Sequence, residues 1–296
     1  FRVFCACLWI SASSFAQDRP NIVLIMANDL GGRDLPIYGN RFNEAPNIDQ
    51  LAGQGMMFHN AYAAPVCSAT RASIQSGQYP ARVGIFDFIT GHWRPYEKVI
   101  VPIHKKQYLP EDIVTLGDVM QGAGYKTGYF GKWHLNNGQQ NLPNVRGYGT
   151  AHMYAGGGFY KPKFNPPYKD GGEKRLSTQL TDMSINFIEE NKEEPFFLFL
   201  SHYDVHVQLD ADKDLIDKYL NKKRDPDYPS NAVYASMIEH IDDSVGNIMK
   251  KLENLGLAEN TIFIFFSDNG GVDNRFDNRP LLAGKGKAAY PEGHPL

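Results

Sequence analysis

Three apolar, β-forming runs, far apart in the chain, set the tightest limit on its fold: residues 19–27, 195–200 and 261–266. None alternates between polar and apolar positions along its core, so each is built for burial on both faces, like an interior strand of a parallel sheet. Residues 125–130 read as a further strand and 56–62 as another. Helices are expected at 46–55, 115–124, around 176–190 and at 230–255. Strands alternating with helices predict βαβ units, hence an α/β fold with a mostly parallel central sheet. A length of 296 residues suits one large α/β domain or two small ones, with ample core.

Two of the runs stop at the same kind of sequence. The first ends at Asn28-Asp29-Leu30-Gly31-Gly32, the last at Ser267-Asp268-Asn269-Gly270-Gly271. In open α/β sheets ligands gather at the carboxyl ends of the strands. Either ending alone reads as a turn or a cap. Together, Asn28, Asp29, Asp268 and Asn269 would bring four hard oxygens to one point, the ligand type that Ca²⁺ takes.

Cys67 opens the stretch Cys67-Ser68-Ala69-Thr70-Arg71, which continues as a helix closed by Gly77. In the first turn of a helix a side chain sits among free N–H groups at the positive end of the dipole, a place for a nucleophile or for an anionic substrate. The other two cysteines, Cys5 and Cys7, lie in a short apolar run with Ser14-Phe15-Ala16 behind it. That pattern is an export signal over residues 1–16, cleaved after Ala16 and too short to span a membrane. The first residue is not Met, so the chain is expected to begin short of its true start. An exported chain left with one thiol cannot pair it internally, which marks Cys67 as reactive or modified.

Further candidates lie at other strand ends. Lys132 and His134, in Gly131-Lys132-Trp133-His134-Leu135, are two apart and would project to one side of an extended segment. His206 ends Ser201-His202-Tyr203-Asp204-Val205-His206, the stretch that follows the run 195–200, whereas Gly284-Lys285-Gly286 reads equally, on its residues alone, as part of a surface lysine pair with Lys287. Residues 136–172, rich in Gly, Pro and Tyr, read as a long irregular loop and a rim for specificity. Helix 230–255 carries an apolar stripe of Val233, Met237, Ile241, Val245, Ile248 and Leu252. Glu239, His240, Asp242 and Asp243 are expected on its solvated face. With net charge −3 and no basic run, the chain has no electrostatic footprint for nucleic acid or a membrane surface.

The Cys67–Arg71 stretch with Ser76-Gly77 resembles the C-x-P-x-R signature of the type I sulfatases, with Ala69 in place of proline. The strand endings, the Gly131–Leu135 element, His206 and the Gly-Lys-Gly element resemble that family's motifs in the same order, over residues 19–290. The resemblance implies an alkaline-phosphatase-like α/β/α sandwich, with residues 17–296 as the N-terminal part of a catalytic domain whose smaller C-terminal subdomain is missing. It implies sulfate-ester hydrolysis by a formylglycine made from Cys67 by a maturation enzyme. One calcium ion would be held by Asn28, Asp29, Asp268, Asn269 and residue 67. Asn28 stands where the family has Asp, which removes one negative charge. Arg71 would hold the formylglycine region, and Lys132, Lys285 and His206 would face the sulfate. His206 or Lys285 would protonate the departing alcohol, and His134 would take the proton of the remaining hydroxyl. The implied substrate is a sulfated small molecule or glycan. The implied place is periplasmic, extracellular or lysosomal. A noncatalytic sulfatase-like binding protein or fragment, and a phosphoesterase of the same superfamily, are the rival readings. An unmodified Ser or Thr nucleophile would mark the latter.

Overall fold

The computed structural model describes residues 19–89, 108–139, 141–169, 171–228, 230–272 and 285. The expected export signal and the residues flanking Lys285 lie outside them.

The three apolar runs become β1 (Asn21–Ala27), β5 (Phe196–Ser201) and β6 (Thr261–Ser267), and residues 125–130 give β2 (Lys126–Gly131). With β3 (Thr150–Tyr154) and β4 (Phe164–Asn165) they form one sheet in the order β4-β3-β2-β5-β1-β6. Every pairing is parallel except β3 with β4. Alternate residues of β1 feed two cores. Val23, Ile25 and Ala27 pack with α5 (Leu176–Glu190) and α7 (Ala232–Asn254), while Leu24 and Met26 pack with Ala72, Tyr129 and Phe199 on the other face. Apolar residues on both faces of β1 therefore dictate helices on both sides, as the sequence predicts.

Register carries the strand ends to one line. Ala27 pairs with Ser267, Met26 with Ser201 and Gly131 with Ser201, so the polar residues that follow all emerge at the same edge. The approach of β2 to β5 is very close there. Gly131 has φ of 109°, and a Cβ on it would stand 1.9 Å from the Ser201 carbonyl oxygen.

The remaining helices are α1 (Pro46–Gln54), α2 (Cys67–Ser76), α3 (Pro80–Val83), α4 (Leu116–Gly122) and α6 (Lys213–Leu220). Thr115 starts α4 with a reciprocal capping box to Asp118. Gly77 ends α2 in the left-handed conformation that a side chain disfavours.

Four expectations need correction. Run 261–266 is not buried on both faces: β6 is an edge strand of the sheet among the described residues, and its Ile262 and Ile264 are 48% and 42% exposed. Residues 56–62 form no strand; Met56, Phe58 and Tyr62 are 78%, 68% and 91% exposed. A strand exists through its neighbours, and among the described residues none pairs with this segment. Residues 136–172 are not one irregular loop, since β3 and β4 lie within them, hidden by their brevity. On α7, Asp242 and His240 are buried rather than solvated. Asp242 accepts the N–H groups of Asn47 (3.2 Å) and Ile48 (2.8 Å) and the Asn47 side-chain amide (2.7 Å), so it caps α1 from across the core. Asp242→Ala is expected to destabilise the protein by about 1–2 kcal/mol, read as a lower denaturant midpoint at unchanged slope. An unchanged midpoint would refute this capping role.

Candidate active site

Cys67 is the first residue of α2, behind an extended Val66, which places its sulfur among the free N–H groups of the helix start. Its Sγ lies 3.2 Å from His134 Nδ1. The opposite ring nitrogen, Nε2, lies 2.6 Å from the Ile89 carbonyl oxygen, which can only accept, so Nε2 carries the proton. Nδ1 is then a lone pair aimed at residue 67. Burial, with Lys132 nearby, pushes the His134 pKa down to about 3 and keeps the ring neutral. Ser68 fixes this arrangement: its hydroxyl donates to the His134 carbonyl (3.0 Å) and accepts from the Ile89 N–H (3.1 Å).

Arg71 lies one turn further along α2 and turns inward. Its Nε and Nη2 donate to Asp268 Oδ2 at 3.0 and 2.7 Å, and Nη1 donates to the Lys132 carbonyl at 2.6 Å and to Ser201 Oγ at 2.7 Å. Tyr129 and Ser201 donate to the same carbonyl. The helix bearing Cys67 is thus pinned to the ends of β2, β5 and β6 at once.

Asp29 gathers the other half of the site. Its N–H donates to Asp268 Oδ1 (3.1 Å), and its Oδ1 accepts from Asn269 Nδ2 (2.7 Å) and Lys285 Nζ (2.5 Å). His206 Nε2 stands 3.7 Å from Asp29 Oδ2. His206 Nδ1 is 2.5 Å from the Val207 carbonyl oxygen, so the proton of the neutral ring sits on Nδ1 and Nε2 is an acceptor. Burial and the cation of Lys132 hold the His206 pKa down to about 4. Asp29 itself is held below the usual carboxylate range, with Lys285, His206 and Lys132 outweighing its burial. Lys132 Nζ donates to Asn28 Oδ1 at 3.1 Å, and burial lowers its pKa.

The geometry therefore joins Asn28, Asp29, Cys67, Arg71, Lys132, His134, His206, Asp268, Asn269 and Lys285 through contacts between neighbours in one cluster. Lys132 and His134 reach it differently from the expected extended alternation: β2 stops at Gly131, and His134 has φ of 59°. Asp29, with φ of 65°, is the other non-glycine residue with left-handed backbone among the described residues. Both flank the Cys67 end of the sheet, where such uncommon conformations tend to concentrate. Sequence reasoning missed Ser68, Ser201, Tyr129 and Tyr203. Ser68 sits inside the Cys67–Arg71 stretch, and Ser201 and Tyr203 lie between the run 195–200 and His206; nothing in the sequence marks Tyr129.

At the ends of β1 and β6 two buried oxygens, Asp29 Oδ2 and Asn269 Oδ1, have no hydrogen-bond partner among the described residues. Unpaired buried oxygens are costly, and a hard cation would satisfy both. No group of three or more His, Cys, Asp or Glu side chains able to hold a metal occurs among the described residues. The strand-end donors are two carboxylates and two amides.

Comparison with known proteins decides the family. The sulfatase family model matches residues 20–295. The chain belongs to the sulfatase family. A sulfatase of Formosa agariphila is 32% identical over 94% of this chain and 62% of its own length. The N-acetylgalactosamine-6-sulfatase of Rattus norvegicus is 31% identical over 91% of this chain and 54% of its own. A solved structure of Ps i-CgsB in complex with k-i-k-neocarrahexaose is 29% identical, with a TM-score of 0.76, over 90% of this sulfatase chain and 62% of that one. The chain thus spans 54–62% of the length of these relatives. Among the described residues no helix is long and apolar enough to cross a membrane.

Proposed function

We propose that the whole protein hydrolyses sulfate esters of a glycan, with residue 67 as the nucleophile's position. The observation that carries this reading is the Cys67–His134 pair at the start of α2, joined to a cluster that holds Lys132, Lys285 and Arg71. A sulfuryl group in transfer carries negative charge on its oxygens, and preorganised cations stabilise that charge most as it grows. The relatives' names, N-acetylgalactosamine-6-sulfatase among them, support a sulfated sugar as substrate.

Each side chain has a part consistent with its protonation. Lys132 binds sulfate oxygens. His134 Nδ1, a lone pair 3.2 Å from residue 67, accepts a proton there. Lys285 is the proton donor to the departing alcohol, because His206 in its neutral form offers only a lone pair at Nε2. Converted to formylglycine by a maturation enzyme, residue 67 would supply a hydrated aldehyde, one hydroxyl to attack sulfur and the other to release sulfate afterwards. Asp29, Asp268, Asn28 and Asn269 would hold a calcium ion, whose charge would favour ionisation of the nucleophile. The unpaired Asp29 Oδ2 and Asn269 Oδ1 fit such an ion. An exported location agrees with this chemistry.

The test is the peptide bearing Cys67, taken from protein made in its native host, together with turnover of an aryl sulfate. Conversion makes the peptide lighter and reactive to a hydrazide. Intact cysteine throughout, with no turnover, sinks the proposal.

Acid tolerance follows from the histidines. His134 works as a neutral base and is lost only when pH falls through about 3, so kcat should show no break between pH 7 and 5. A limb with a midpoint near the free-histidine value would contradict the burial seen here. Stability moves the other way: His134 and His206 protonate near 6.5 when unfolded but near 3 and 4 when folded, so acid favours the unfolded chain as pH falls through that window.

A further inference from the structure

We propose that Tyr203 is a positioning residue, whose ring and carbonyl together hold Lys132, His206 and Asn28 in their working places. The proposal rests on the hydrolase reading for its purpose, though not for its geometry. Lys132 Nζ lies 5.4 Å from the centre of the Tyr203 ring, and the His206 ring lies 4.9 Å from it, inclined by 46°. The Tyr203 carbonyl accepts from Asn28 Nδ2 at 3.2 Å, which turns Asn28 Oδ1 toward Lys132, 3.1 Å away. One residue therefore touches three members of the site by three different contacts.

The contacts suit the task of binding an anion. Lys132 is buried, and its ammonium meets an amide oxygen and the negative face of a ring; among the described residues no carboxylate stands within ion-pair distance of it. A carboxylate partner would neutralise the charge that a sulfate needs. A π face holds the ammonium without doing so. Tyr203 is itself braced by Tyr154 at 5.0 Å and Phe159 at 5.8 Å, and the Arg175 guanidinium lies 4.5 Å from the Phe159 ring. Arg175 also pairs with Asp204, the residue after Tyr203, at 2.6 Å with both side chains buried. The phenol hydroxyl makes only a long contact, 3.4 Å to the Val207 carbonyl, so the ring matters more than the oxygen.

Crystal structures and aryl-sulfate kinetics of full-length Tyr203→Phe and Tyr203→Leu proteins test this. Phenylalanine should keep Lys132 and His206 in place, with kcat within about twofold of the parent. Leucine should let the ammonium leave the Asn28 amide and lower kcat about 10- to 100-fold, since displacement of about 1 Å can cost that much. KM and melting temperature should move little. Tyr203→Met repeats the test if the leucine protein does not fold. Unmoved Lys132 and His206 with unchanged kcat in the leucine protein would overturn the proposal. Equal losses in Phe and Leu would overturn it too, by assigning the effect to the hydroxyl. If the parent protein turns over no sulfate ester, the hydrolase reading falls, while the unliganded structures still decide whether the ring places Lys132.

Discussion

Cys67→Ala is expected to lower turnover of an aryl sulfate by at least about 10³-fold, the scale on which removal of a nucleophile is felt. The same substitution should leave the protein folded. Cys67 is 1% exposed, and trimming one buried sulfur costs on the order of 1 kcal/mol. The helix that carries it is held by Arg71 and by Ser68, neither of which depends on the thiol. Cys67→Ser separates two roles: a serine hydroxyl could attack sulfur and take the sulfuryl group as the alcohol departs, but it has no second hydroxyl to expel sulfate, so it too should fail to turn over repeatedly. Turnover by the alanine protein above a few per cent of the parent would remove residue 67 from the chemistry.

Arg71→Met is expected to cost about 3–5 kcal/mol, because it strands a buried carboxylate. The Arg71 and Asp268 side chains are 2% and 0% exposed and share two hydrogen bonds, and Arg71 also serves the Lys132 carbonyl and Ser201. Melting without added calcium reads the loss directly. Asp268→Asn combined with Arg71→Met should recover part of it, since no uncompensated charge then remains. A shift in the single variant matching that of an exposed arginine would show that solvent reaches Asp268 after all.

Much of the cluster was legible because strand ends announce themselves. Asn28-Asp29 and Asp268-Asn269 stand directly after apolar runs, and parallel register carries them together with no further information. What was not legible depends on contact across the fold. Asp242 reads as solvated on a helix wheel, but Gly246 allows Asn47 to approach the same face, and the carboxylate becomes a cap. Residues 56–62 have the composition of a strand and nothing among the described residues to pair with. Ser201 and Tyr129 matter through one carbonyl, that of Lys132, whose position no local pattern reveals. The left-handed backbone of His134, with φ of 59°, is likewise marked by no local pattern.

The closure of Asp29 onto Asp268 spans 239 residues of chain. At a synthesis rate of about 5–20 residues per second, roughly 12–48 seconds separate the appearance of the two aspartates. Until Asp268 arrives, Arg71 lacks its carboxylate anchor and α2 is not yet locked against the finished sheet. Afterwards the thiol of Cys67 is sealed. The lock on the helix that bears Cys67 is thus completed by a residue made 197 positions after the arginine it holds, so the site can close only when the sheet does.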